Sequence, residues 1–146
     1  MSVKTRGIDL RRLLGSEGIN AQVIPIIKDR YVAHYQNLGG AAYVYLENQE
    51  FIREARDILQ SFSGIEAVFP QEGAAKKFEL RKDRIGDLFV LGDKDTVFGS
   101  FNTIEVSVKI RSHGSRYESA VPIIAYGSKT RVNYQRNFDI VAQMGI

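Results

Sequence analysis

The chain has 146 residues, no cysteine and a formal net charge of +3 at pH 7. Without cysteine it can form neither a disulfide nor a thiolate metal site. No block of five or six basic residues indicates a nucleic-acid-binding face, and no apolar run approaches the roughly 20 residues of a membrane-spanning helix. We therefore expect a cytoplasmic protein that binds neither nucleic acid nor a membrane. It would comprise one domain, or a small domain plus part of another.

The start of the chain predicts a helix followed by a strand. Residues 8–14 carry apolar side chains at helical spacing, and the glycines that follow suit a helix end. Residues 21–27 have the composition of a strand. Because Pro25 has no backbone N–H, this strand is expected at a sheet edge or to end there. Residues 29–40 are then expected to form a loop that ends in two glycines.

The middle of the chain carries the clearest pattern. Asn48 suits the N-cap of a helix that runs to residue 62, and Gly64 suits its C-terminal stop. A second, shorter helix is expected near residues 73–78. Strands are expected at residues 41–46, 65–69, 88–91 and 96–98. This alternation is typical of a small α+β sandwich with a split β–α–β unit.

The last third of the chain is less regular. Residues 101–110 alternate loosely and predict a strand or an extended return segment, and residues 121–126 predict another strand. Residues 133–144 are expected to form a terminal helix or an irregular arm. The two ends, 1–28 and 99–146, therefore form one structural layer in our interpretation, with the middle inserted between them.

One histidine in this last third is the candidate functional residue. His113 lies between Ser112 and Gly114, whose small side chains leave an imidazole free to reach a metal ion. Glu118 or a distant carboxylate could join it as a ligand, whereas a merely solvated histidine is the alternative. The second histidine, His34, could line a cleft, or it could be packed or hydrogen-bonded.

The surroundings of His113 resemble those of a known group of enzymes. Ser-His-Gly at residues 112–114, then Glu118, then Val-Pro and an apolar run, resembles the last metal-ligand loop of the alkaline phosphatase superfamily. The closest resemblance is to its phosphonoacetate hydrolases. Other stretches resemble these hydrolases in the same order, namely residues 28–34, 38–46, 78–80 and 83–91. The order of the motifs is more specific than any one of them.

The resemblance implies a mixed α+β and α/β fold. Residues 1–28 and 99–146 would be the C-terminal piece of an alkaline-phosphatase-like, doubly wound α/β core. Residues 29–98 would form a ferredoxin-like, split β–α–β cap inserted into it. The implied activity is zinc-dependent hydrolysis of the carbon–phosphorus bond of phosphonoacetate, giving acetate and phosphate. The implied site holds two zinc ions and a threonine nucleophile.

Only one residue of that implied site has a counterpart in this chain. His113 matches a metal ligand, but the threonine, an Asp-His-Gly-Met segment and the remaining ligands have no match. No catalytic residue is therefore assigned here, no residue is assigned to substrate binding, and the chain alone is expected to be inactive. Its implied partners are a small anionic phosphonate or phosphate and either the missing N-terminal half or further copies of itself.

Two alternatives remain open from the sequence. The substrate-selecting residues would lie mostly elsewhere, so another phosphatase or a phosphodiesterase of the superfamily fits the same resemblance. A free-standing, non-catalytic α+β module that binds a partner or small ligand fits the incomplete metal set.

Overall fold

A computed structural model describes residues 2–26, 38–122, 124, 126 and 139. This part of the chain forms seven strands and three α-helices. The strands are β1 Ser2–Ile8, β2 Ala21–Pro25, β3 Ala41–Leu46, β4 Ile65–Pro70, β5 Leu88–Gly92, β6 Thr96–Phe98 and β7 Glu105–Ser112. The helices are α1 Leu10–Ser16, α2 Ile52–Ser61 and α3 Gln71–Phe78. None of the helices in the described ranges is long and apolar enough to cross a membrane.

Four strands form an antiparallel sheet in the order β2-β3-β5-β4. Since β3 and β4 both run antiparallel to β5, they are parallel to each other with β5 between them. Helix α2 connects them, which is the arrangement of a split β–α–β unit. The interpretation of the region as a complete ferredoxin-like cap stays a prediction.

Both faces of this sheet are covered. On one face, α1 and α2 bury Leu14 and Leu59 against Val44 and Val90. On the other face, α3 covers a second cluster around Phe89. Along β5, Val90 belongs to the first cluster, whereas its neighbour Phe89 belongs to the second. Successive side chains of a β-strand point to opposite faces of the sheet in this way. The sheet therefore has an apolar core on each side.

An aromatic group lies under α3. The ring centroids of Phe69 and Phe78 are 5.3 Å apart, and Phe78 lies at the same distance from Phe89. Tyr43 stacks beside Phe89, with centroids 5.2 Å apart. Burial raises the pKa of the Tyr43 hydroxyl, and the neighbouring Tyr45 adds to this increase. These rings pack in and against the second apolar cluster.

The residues predicted to end the helix and strand of this region lie at or near those ends. The side chain of Asn48 accepts a hydrogen bond from the Glu50 N–H at 3.0 Å, which caps a short 3-10 turn at Gln49–Phe51 that leads into α2. Gly64 has φ +93° just after the helix, a conformation that favours glycine. Pro25 ends β2, which lies at the sheet edge.

The other three strands form a second sheet in the order β6-β1-β7. Strand β1 lies in its centre, parallel to β6 and antiparallel to β7. The sequence did not predict β1. It predicted a helix from residue 8, whereas Ile8 ends β1 and Asp9 caps a helix that begins at Leu10.

Two strands, β6 and β2, pair outside the regions to which the sequence analysis assigned them. Strand β6 was predicted to belong to the middle unit, but it pairs with β1, Gly7 lying opposite Val97. The turn before β6 explains this, because the Asp95 carbonyl accepts the N–H groups of Thr5 and Arg6 at 2.9 and 3.1 Å. Strand β2 was grouped with the chain ends, but it pairs with β3. The division into a cap at 29–98 and a core stays a prediction. To agree with this strand pairing, its boundaries would have to assign β2 to the cap and β6 to the core.

The strand predicted at residues 121–126 is wrong at the positions that the structure describes. Val121, Pro122, Ile124 and Tyr126 are in no strand and are exposed. A strand needs a neighbour for its backbone hydrogen bonds, and none of the described strands pairs with this segment. His34, most of the loop predicted at 29–40, and the arm predicted at 133–144, apart from Asp139, lie outside the described residues.

Candidate functional site

The candidate histidine lies where β7 ends and a tight turn begins. Gly114 has φ +89°, a left-handed conformation that favours glycine. A Cβ atom at this position would come within 2.6 Å of the Ile26 Cδ1 atom. Gly114 therefore makes a turn that a residue with a Cβ atom could adopt only with strain.

The turn closes with a reciprocal cap. Ser115 precedes a 3-10 turn at Arg116–Glu118, and its Oγ accepts the Tyr117 N–H at 3.3 Å. The Glu118 Oε2 atom accepts the Ser115 N–H at 3.0 Å and the Ser115 hydroxyl at 2.5 Å. This is a capping box, which fixes the conformation of the segment immediately after His113.

The backbone of His113 is held by the segment before β3. Its carbonyl accepts the Gly40 N–H at 3.0 Å, while the Ser112 hydroxyl donates to the Leu38 carbonyl at 2.8 Å. The Gly40 carbonyl in turn accepts the Gly92 N–H at 3.0 Å. These bonds tie residues 112–118, which we name the His113 turn, to the four-stranded sheet.

Two ion pairs extend these attachments. Arg116 Nη2 lies 2.8 Å from the Glu66 Oε1 atom on β4, at the far edge of the four-stranded sheet. Lys4, on the central strand of the other sheet, has no exposed side-chain surface, and its Nζ lies 3.1 Å from the Glu118 Oε1 atom. The His113 turn therefore contacts both sheets.

Glu118, the suggested companion of His113, is engaged by other groups. The side chain of His113 is exposed, whereas Glu118, its suggested companion, pairs with Lys4 and caps Ser115. Within the described ranges, no group of three or more His, Cys, Asp or Glu side chains could hold a metal ion. A catalytic zinc usually has three protein ligands, so the described residues do not by themselves form the zinc site that the resemblance implies.

Sequence reasoning missed Lys4. It lies in the run Ser-Val-Lys-Thr-Arg, in which only Val3 is apolar, so the composition carries no sign of an inward-facing lysine. The only signal is spacing: Lys4 and the buried Ile8 are an even number of residues apart along β1, and such residues lie on the same face of a regular strand. A register irregularity between Lys4 and Arg6 weakens even this signal.

An opening in the described surface lies away from His113. A cavity of about 490 Å³ lies between the start of α1 and β2, and its lining includes Asp9, Arg11, Gln22 and Tyr45. Asp9 is occupied there as a helix cap, since it accepts the Arg12 and Phe101 N–H groups at 3.0 and 2.9 Å. His113 is not among the lining residues, so the cavity is no part of the candidate site.

Substituting Gly40 by alanine is expected to displace the His113 turn. The added Cβ would lie 2.6 Å from the Ser115 Cβ and 2.8 Å from the Ser115 backbone nitrogen. Relieving this overlap would require the turn to move away from β3, so we expect a loss of about 1–3 kcal/mol in the free energy of unfolding. Denaturant titration measures the loss.

A matched control for this substitution is available in α3. At Gly73 the nearest atom to an added Cβ is the Pro70 Cδ at 4.0 Å, so Gly73→Ala is expected to be neutral or slightly stabilising. Equal stability of the Gly40→Ala and Gly73→Ala variants would contradict the close packing of Ser115 on Gly40.

Comparison with known proteins supports a distant relation to one enzyme. No protein-family model matches the chain. Its structure is similar to phosphonoacetate hydrolase from Sinorhizobium meliloti 1021 in complex with phosphonoacetate, with a TM-score of 0.64 and 28% identity over 76% of this chain. For the same enzyme with phosphonoformate, the TM-score is 0.64, with 30% identity over 75% of the chain. The chain spans only 28% of the length of these enzymes.

Proposed function

We propose that this chain forms part of a hydrolase related to phosphonoacetate hydrolase, which splits the carbon–phosphorus bond of a small anionic phosphonate. The observation that carries the proposal is the structural similarity to an enzyme crystallised with phosphonoacetate and phosphonoformate. The similarity extends over three quarters of the chain and is accompanied by 28–30% sequence identity.

The chain would contribute two things to such an enzyme. The four-stranded sheet and its helices would form the cap over the site. His113, which follows β7, would be one metal ligand. Its imidazole is exposed while its backbone is fixed by Gly40, which suits a side chain that must be presented in one direction. The implied nucleophile and the other zinc ligands have no counterparts in this chain, so we propose that they come from the rest of such an enzyme.

A non-catalytic role is the second candidate function. The four-stranded sheet has apolar clusters on both faces, each closed by helices of this chain. The described part also lacks a group of ligands for a metal ion. Both observations fit an independent binding module. Within the hydrolase proposal, a phosphatase or a phosphodiesterase of the same superfamily would use the same scaffold.

A chimera tests the proposal. The segment of the Sinorhizobium meliloti enzyme that aligns with this chain would be replaced by the corresponding residues of this chain. We expect the chimera to release phosphate from phosphonoacetate, because the transplanted segment would supply the missing cap and the His113 turn. Phosphate release and circular dichroism would be measured together, so that activity is judged only on folded protein.

The controls separate the candidate functions. The 146-residue chain alone is expected to give no turnover in the same assay, since a single imidazole cannot hold a two-metal site. A folded chimera that hydrolyses phosphate esters but not phosphonoacetate would favour another enzyme of the superfamily. A folded chimera without any hydrolase activity would support the binding module and overturn the proposal.

A further inference from the structure

The most unusual group in the described structure is a buried lysine. The side chain of Lys4 has no exposed surface, and that of Glu118 is 9% exposed. Charged groups are rarely buried in this way unless they are paired and hydrogen-bonded, because they lose their hydration. A buried ion pair is also weak evidence for stability, since apolar replacements of similar volume are often as stable. The pair therefore calls for an explanation beyond general stability.

The contacts of Lys4 converge on one place. Its ammonium group lies 2.8 Å from the Lys94 carbonyl, 3.4 Å from the Ser115 Oγ and 3.1 Å from the Glu118 Oε1 atom. An ammonium group has three N–H donors, so each donor has an acceptor. Ser115 and Glu118 are the two ends of the capping box, which means that Lys4 contacts both ends of the turn that follows His113.

We propose that Lys4 is a positioning residue that, through Glu118 and Ser115, sets the conformation of the His113 turn and so the direction of the His113 imidazole. This inference deepens the proposed function and rests on it for the role of His113. Lys4 lies on the central strand of the three-stranded sheet, whereas Gly40 belongs to the segment before β3. The turn therefore contacts the three-stranded sheet through Lys4, and it is attached to the four-stranded sheet by the hydrogen bond from the Gly40 N–H to the His113 carbonyl.

The test separates local positioning from global stability. A double variant, Lys4→Met with Glu118→Gln, removes both buried charges together, while the amide oxygen of the new glutamine side chain keeps an acceptor for the Ser115 N–H. Global stability would be followed by thermal unfolding. The attachment of the turn to the four-stranded sheet would be followed by hydrogen exchange of the Gly40 amide, which donates to the His113 carbonyl. The imidazole itself would be followed by NMR. The chain has only two histidines, so a His34→Gln background assigns the His113 signals.

The expected result is a local change without a matching global one. In the double variant, exchange of the Gly40 amide should accelerate at least about tenfold more than that of the α2 amides, a difference of about 1.4 kcal/mol. The His113 ring signals should shift or broaden. A folded double variant with unchanged Gly40 protection and an unchanged His113 spectrum would overturn the proposal, whatever its unfolding temperature.

A second variant covers the case in which the double variant does not fold. Glu118→Asp keeps the charge opposite Lys4 but is one methylene shorter, so its carboxylate cannot contact Lys4 and cap Ser115 in the same geometry. It should give the same local signature at Gly40 and His113, whereas changes that only follow global stability would overturn the proposal. None of these measurements requires catalysis. An inactive chimera would therefore leave this inference standing, and an undisturbed turn would leave the proposed function standing.

Discussion

Replacing His113 by alanine in the active chimera is expected to lower the rate of phosphonoacetate hydrolysis more than about 100-fold. Loss of a residue that only supports a metal ligand typically costs about 10–100-fold, and loss of a direct ligand should cost more. The substitution is not expected to disturb the backbone of the turn. The bond between the His113 carbonyl and the Gly40 N–H involves backbone only, so alanine removes the imidazole and leaves the turn in place.

The measurements are kcat/KM for phosphonoacetate and the zinc content of the purified chimera, with and without His113→Ala. Lys109→Ala is the matched control, because Lys109 is also exposed and lies on β7 four residues earlier. The control is expected to retain full activity. Full activity and zinc content in the His113→Ala chimera would remove His113 from the metal site while leaving the relation to the hydrolases intact.

The elements of the middle region could be predicted because their signals are local. Strand β3 occupies residues 41–46 as predicted, and the second and third predicted strands of this region are present as β4 and β5. Asn48 and Gly64 lie within a few residues of the helix that they delimit, so neither signal depends on the rest of the fold. Such short-range chemistry can be read from a single sequence.

Strand β1 and the pairing within the three-stranded sheet could not be predicted, because the paired strands are distant in sequence. Strand β1 consists largely of polar and charged residues, and its pairing with β6 and β7 joins opposite ends of the described chain. Lys4 and Ser115 are 111 residues apart, and nothing near Lys4 indicates that its ammonium group is buried. At residues 121, 122, 124 and 126 the predicted strand is absent for the complementary reason, since an apolar run is not a strand without a partner.

The role of His113 as a metal ligand stays a prediction. The small residues beside it lie in a tight turn, which Gly114 makes with its positive φ. The suggestion that Glu118 joins His113 as a ligand depended on spacing alone. In the structure, Glu118 lies in a capping box and is paired with a lysine from the other end of the chain. Spacing can place two residues in one loop, but it does not give the direction of their side chains.

Gly86→Ala is expected to be the most destabilising of the glycine substitutions, with a loss of at least about 3 kcal/mol in the free energy of unfolding. A Cβ at this position would overlap the Val44 carbonyl oxygen and lie 2.9 Å from the Val44 backbone nitrogen and carbonyl carbon. These are backbone atoms of β3, which cannot retreat because Val44 lies between Val23 and Leu88 on the neighbouring strands.

The segment carrying Gly86 cannot retreat either, because the next residue, Asp87, accepts the Leu46 N–H at 2.7 Å and the Gln71 N–H at 2.9 Å. Gly15→Ala in α1 is the matched control: nothing lies within 4 Å of the added methyl group, and alanine favours a helix by about 0.5–1 kcal/mol. Urea titration of both variants measures the contrast. If the free energy of unfolding of Gly86→Ala lies within about 1 kcal/mol of that of the parent chain, then this segment does not pack on β3 as closely as described.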